Sequence, residues 1–196
     1  DRVILAAAAN IDFIYAYFGI HLAGGVCVPI DPDTNETRFG HILTSTQPVC
    51  VMGTLHKVER ETIPFSEVLT ASDEILPFVQ PEAEQLGDIL FTTGTTGAPK
   101  GVALNIKNLA AAALNINTFI KNTEDDIELL ALPVSHSFGL GRVRCVLSRG
   151  GALVLLGTFA NMKKFFKEME RCHVTGFGMV PASWGYIKKM SGKYIG

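Results

Sequence analysis

Residues 92–101, Thr-Thr-Gly-Thr-Thr-Gly-Ala-Pro-Lys-Gly, constrain the fold of this chain more than any other segment. They sit between two apolar runs, Asp88-Ile89-Leu90-Phe91-Thr92 and Val102-Ala103-Leu104, both of which read as extended strands. Asn105 then offers a helix N-cap, so the order is strand, loop, short strand, helix. The loop carries four threonines, three glycines and one lysine, and no acidic residue. Glycine lets backbone approach a ligand closely, and successive loop N–H groups form anion-binding nests that hydroxyls extend. Lys100 adds a compact cation suited to phosphate oxygens. A glycine-rich surface hairpin would account for the glycines, but not for four threonines and a lysine together. The loop therefore reads as a polyphosphate cradle, with ATP as the expected ligand. It is not a Walker loop, because Ala98 and Pro99 separate Gly97 from Lys100 and a glycine follows the lysine.

Residues 88–102 resemble the AMP-binding signature of the adenylate-forming superfamily, which includes acyl- and aryl-CoA synthetases and the adenylation domains of peptide synthetases. The resemblance extends upstream to residues 10–32. There Asn10 caps a helix with Ile11, Ile14, Tyr15, Phe18 and Leu22 at helical spacing, Gly24 and Gly25 end it, and Val26 to Ile30 forms a strand. Downstream, Leu132-Pro133-Val134-Ser135-His136-Ser137-Phe138-Gly139-Leu140-Gly141 is similar to the superfamily's next motif. Ser-His-Ser-Phe-Gly is closer to acyl- and aryl-CoA ligases than to the aromatic-acidic pair of peptide synthetases.

The resemblance implies an α/β fold of layered sheets flanked by helices, with residues 1–196 forming part of the large N-terminal AMP-binding domain. It implies ATP-dependent activation of a carboxylic acid as an acyl adenylate, with pyrophosphate released and the acyl group passed to a thiol such as coenzyme A. Thr92, Thr93, Gly94, Thr95, Thr96, Gly97 and Lys100 would hold the outer phosphates of ATP with Mg²⁺. Lys100 and His136 are the expected catalytic residues, and His136, Phe138, Gly139 and Leu140 the expected acid pocket. Gly176, Phe177 and Val180 are further candidates for its wall. No protein metal ligands are expected. The superfamily's later motifs do not occur in residues 1–196, so the chain reads as a fragment without the C-terminal part and small domain, inactive by itself. Two other readings stay open: an adenylation domain or acyl-AMP ligase that loads a carrier protein, and a non-catalytic nucleotide-binding module.

The rest of the chain alternates strands and helices. Ile127 to Leu132, Ala152 to Leu156 and Val174 to Val180 read as buried strands. Asn161 caps a helix with Met162, Phe165, Phe166 and Met169 on one side and three lysines on the other. Pro181 opens a last helix, and residues 75–85 are the best linker candidate. A net charge of −2 gives no basic field for nucleic acid. Charged residues make up 18% of the chain, below the usual ~25%, which suggests apolar surface awaiting cover. Cys27, Cys50, Cys145 and Cys172 lack metal spacing and read as buried thiols of a reduced, cytoplasmic protein. Residues 3–30 are too often broken by polar and glycine residues to span a membrane.

Overall fold

The computed structural model describes residues 1–69, 80–92 and 99–192. The chain forms two compact units, Asp1–Ala110 and Ala111–Gly196. Part of the expected linker, and Thr93, Gly94, Thr95, Thr96 and Gly97 of the expected cradle, lie outside the described residues.

The first unit is built on β1 (Arg2–Ala6), α1 (Ile11–Leu22), β2 (Val26–Ile30), α2 (Glu36–Thr46), β3 (Cys50–Met52), α3 (Phe65–Leu69), β4 (Leu86–Phe91) and β5 (Gly101–Asn105). Its strands form one sheet in the order β3-β1-β2-β4-β5. All pairs are parallel except β4 with β5, which runs antiparallel. β2 is buried at every position, as expected for a parallel strand covered on both faces. Ile4, Val28, Ile30, Phe39, Ile42, Val51 and Phe91 make the core between sheet and α2. The Asn10 side chain accepts from the Phe13 N–H at 2.9 Å and starts α1. Gly24, at φ +74°, turns the chain out of that helix.

The buried face of α1 differs from the expected stripe. Phe13, Ile14, Ala16, Tyr17, Ile20 and His21 face inward, whereas Ile11, Tyr15 and Leu22 are 52%, 58% and 52% exposed. A polar group decides the rotation. Asp88, fully buried on β4, accepts from the Tyr17 hydroxyl at 2.9 Å and lies 2.9 Å from His21 Nε2. A buried carboxylate must be hydrogen-bonded, and turning this face inward supplies two partners one helical turn apart.

Helix α4 (Ile106–Ile120) leads on to the second unit, and a reciprocal cap opens it. Asn105 Oδ1 accepts from the Asn108 N–H at 2.8 Å, and Asn108 Oδ1 accepts from the Asn105 N–H at 3.1 Å. β6 (Ile127–Leu130), α5 (Ser137–Leu147), β7 (Ala152–Leu155), α6 (Met162–Arg171), β8 (Gly176–Phe177) and α7 (Pro181–Ser191) follow. Their sheet is parallel, in the order β7-β6-β8. Met162 and Phe165 of α6 reach its core, and Lys163, Lys164 and Lys167 point away from it. The strand expected over 174–180 pairs only at Gly176 and Phe177. Glycines at 176 and 178 weaken the ladder, and the Val180 carbonyl already accepts from the Ser183 N–H to start α7.

No disulfide joins the four cysteines; Cys27 and Cys145 are buried, Cys50 and Cys172 half-buried. Burial pushes the Cys50 and Cys145 thiols up. Among the described residues, no helix is long and apolar enough to cross a membrane.

Asp88→Ala strands two buried groups and is expected to lower the unfolding free energy by about 2–5 kcal/mol, against about 1–3 kcal/mol for Tyr17→Phe. Denaturant unfolding of both variants measures this; losses below about 0.5 kcal/mol in both would deny the network its structural role.

Candidate functional site

β4 and β5 form the arms of a hairpin whose tip is the threonine-glycine segment. Leu90 pairs with Val102 and Phe91 with Gly101. The Thr92 N–H donates to the Lys100 carbonyl at 3.0 Å, and the Lys100 N–H lies 3.4 Å from Thr92 Oγ1. Thr92 and Lys100 are therefore held opposite each other, both exposed. The Lys100 ammonium has no acidic partner among the described residues, so it is a cation available to a ligand.

Arg38 fixes the base of this hairpin. Its Nη1 donates to the Thr92 carbonyl at 3.0 Å and its Nη2 to the Phe91 carbonyl at 3.3 Å. Sequence reasoning passed over it. The available signal was electrostatic: Arg38 lies in the first turn of α2, where the helix dipole disfavours a cation and an acceptor elsewhere is needed.

The second group of residues lies where β6 runs into α5. Leu129 to Leu132 and Val134 are buried, so the connection is anchored up to Ser135. His136 is the extended N-cap residue of α5, exposed, with no side-chain capping bond. Its imidazole is consequently not committed to the helix and is free to meet a ligand. Gly139 is buried, and a Cβ there would lie 2.3 Å from the Pro133 carbonyl oxygen, so only glycine lets α5 sit this close to the incoming chain. Leu140 is wholly buried in the core.

Of the residues expected in an acid pocket, Phe138, Gly176 and Phe177 line a cavity of about 370 Å³, and His136, Gly139, Leu140 and Val180 do not. Gly178 keeps the cavity open: a Cβ there would lie 3.4 Å from the Phe138 ring and 3.6 Å from Arg142 Cγ. The wall also holds a buried ion pair that the sequence reading missed. Arg142 Nε donates to Glu128 Oε1 at 2.8 Å and Oε2 at 3.0 Å, and Nη2 donates to Glu128 Oε2 and, at 2.9 Å, to Asn122 Oδ1. Hydrogen bonding to Glu128 raises the Arg142 pKa further, so its charge is fixed. Beside the pair, the Thr123 N–H and the Thr175 hydroxyl hold the Asp126 carboxyl below the usual carboxylate range. The missed signal was a pattern break: Glu128 interrupts an apolar strand, and Arg142 an apolar helix face.

Among the described residues, no three His, Cys, Asp or Glu side chains gather as a metal site.

Known proteins are similar to this chain in sequence and in fold. A family model described as AMP-binding enzyme matches residues 1–194. A 4-coumarate–CoA ligase-like 9 protein of Arabidopsis thaliana is 30% identical over 196 residues, covering 90% of this chain and 35% of the relative. The nonribosomal peptide synthetase agiA of Aspergillus flavus is 27% identical over 182 residues, covering 84% of this chain and 2% of that protein. The crystal structure of ATP-bound MatB from Rhodopseudomonas palustris superposes with a TM-score of 0.76 at 25% identity, over 87% of this chain and 38% of MatB. The chain thus spans about a third of the length of the first relative.

Two glycines of α5 make opposite predictions. Gly139→Ala is expected to destabilise by about 1–3 kcal/mol through the clash with Pro133. Gly141, whose added Cβ would meet nothing within 4 Å, is expected to gain up to about 1 kcal/mol on the same change. Denaturation midpoints decide it, and a shift of the same sign at both positions would contradict the close approach at Gly139.

Proposed function

The chain belongs to the AMP-binding enzyme family, and on that premise we propose that the protein containing it activates a carboxylic acid with ATP and passes the acyl group to a thiol. A carboxylate oxygen attacks the α-phosphorus of MgATP, the bond to the β-phosphate oxygen breaks, and pyrophosphate leaves. The thiol sulfur then attacks the acyl carbon, AMP departs, and the thiol proton is released. Charge crowds on the departing pyrophosphate, so positioning and electrostatics carry most of the acceleration.

The observation that carries this reading is the hairpin that presents Thr92 and Lys100 together, with an ammonium that has no acidic partner among the described residues. Lys100 opposes charge on the outer phosphates, and Thr92 with Thr93, Gly94, Thr95, Thr96 and Gly97 supplies hydroxyls and backbone amides. Arg38, bonded to two successive carbonyls at the hairpin base, keeps Thr92 in place. His136 orients the carboxylate, and Phe138 forms part of the wall against which the rest of the acid lies. Gly139 and Leu140 act behind that wall, by letting α5 pack where it does.

Similarity to a CoA ligase-like protein and the Ser-His-Ser-Phe-Gly motif favour coenzyme A as the acceptor. Similarity to a nonribosomal peptide synthetase supports a second reading, in which the acceptor is a carrier-protein thiol.

The test is acid-dependent ATP–pyrophosphate exchange by the full-length protein, across aromatic, short and long carboxylic acids and amino acids. Exchange with one class is expected; its absence with every acid would reject the proposal. Lys100→Ala is expected to weaken ATP binding by about 10- to 100-fold and AMP binding much less, as measured by calorimetry. An equal loss for both nucleotides would remove Lys100 from the outer phosphates.

A further inference from the structure

Helices α6 and α7 concentrate the positive charge of this chain. They hold Lys163, Lys164, Lys167, Arg171, Lys188 and Lys189, six of the 17 cationic side chains, but only Glu168 and Glu170 of the 19 acidic ones. Arg171 is committed to Glu168, with Nε donating to Oε2 at 2.8 Å and Nη2 at 2.6 Å. That leaves five lysines and one glutamate on two helices of a chain whose net charge is −2. Lys163, Lys164 and Lys167 are exposed and have no acidic partner among the described residues. We propose that the outer face of α6 and α7 docks the protein reversibly on an anionic lipid surface. This docking is independent of acid activation.

The fold gathers these charges on one layer. Lys163 lies four residues before Lys167 and Lys164 three, so the three share one side of α6. Met162 and Phe165 are buried on the other side, in a cluster with Leu129, Ala131 and Ile187 of α7. Leu129 and Ala131 are two residues apart along an extended segment and face the same side of the sheet. α6 and α7 therefore cover that side together. Lys188 and Lys189 follow the buried Ile187 directly, and both are exposed.

The residue types select the partner. Lysine is a compact, hydrated charge on a flexible stem, suited to a fluid array of lipid phosphates, whereas a fixed anion is best read by the guanidinium fork of arginine. The one arginine on these helices is already paired. Trp184 and Tyr186 of α7 are 54% and 41% exposed. Such rings settle at the level of lipid headgroups, where an apolar body and a polar tip are both accommodated. A single exposed aromatic needs no explanation, but two on a helix of the lysine-rich layer match an interfacial surface. Each lysine near an anionic membrane favours binding about fivefold, so the three of α6 supply about 100-fold. Attraction of this kind is reversible and screened by salt.

The experiment is co-sedimentation of the full-length protein with vesicles of phosphatidylcholine alone, or with about one-third phosphatidylserine, at about 0.05 M and about 0.3 M salt. Binding to the anionic vesicles is expected to exceed binding to the neutral ones by about tenfold or more at low salt, and to collapse at the higher salt. Equal binding to both, or none to either, would overturn the proposal. Lys163→Gln, Lys164→Gln and Lys167→Gln together are expected to weaken binding to the anionic vesicles by about tenfold or more. Lys57→Gln, Arg60→Gln and Lys107→Gln remove the same charge from exposed positions of the first unit, and are expected to change it by less than about threefold. An equal loss in the two triple variants would assign the binding to net charge and reject the α6–α7 surface. Binding to soluble polyglutamate with none to vesicles would replace the lipid by an acidic protein and also reject the proposal. Thermal unfolding checks that the α6 variant is folded; if it is not, the lipid and salt dependence of the wild type decides alone.

Discussion

Asp88 is the point on which the first unit is organised. A carboxylate without solvent contact is tolerated only where donors surround it, and here they come from one face of α1. Meeting that requirement fixes the rotation of α1 and its height against β4. β4 in turn ends at Phe91, and the threonine-glycine segment continues from Thr92. The same strand is held from the other direction by Arg38, whose guanidinium caps the last two carbonyls that no longer belong to the parallel ladder. The position of Thr92 is thus imposed by the strand that delivers it. Two polar anchors, one inside the sheet and one at its end, do this.

The second unit uses a similar device. Glu128 sits in β6, the strand that leads to His136, and its buried oxygens are bonded by Arg142 of α5. The pair fixes the register of α5 along the strand, since a slip of one helical turn, about 5.4 Å, would leave both charges buried and alone. Gly139 permits the close approach and the ion pair enforces it. In both units, then, a buried acid within an otherwise apolar strand positions the segment that follows the strand. Apolar packing alone would not discriminate between neighbouring registers as sharply, because methyl groups accept many partners and a carboxylate does not.

This explains which features were legible in the sequence and which were not. Local signals read correctly: Asn10, Asn105 and Asn161 each cap the helix that follows, because a capping bond spans three residues and needs no tertiary context. The strands β2, β4 and β6 are apolar runs, broken by charge only at Asp88 and Glu128, and needed none either. What failed depended on residues far apart in the chain. The inward face of α1 was misjudged because Ile11, Tyr15 and Leu22 are more apolar than His21, while the deciding partner of His21 lies 67 residues away. Arg38 acts across 54 residues on a backbone carbonyl, a partner that no side-chain pattern announces. The strand over 174–180 was overestimated because an apolar run was weighed above its two glycines.

The division between the two units also bears on specificity. In the hairpin, Thr92 and Lys100 are held opposite each other by main-chain hydrogen bonding. The cavity beside Phe138 is different, since side chains from β6, α5 and the segment around β8 define its polarity. Substituting Gly178 or the Glu128–Arg142 pair would change its volume and hydrogen-bonding character. Membership in a family that activates acids therefore leaves the acid open.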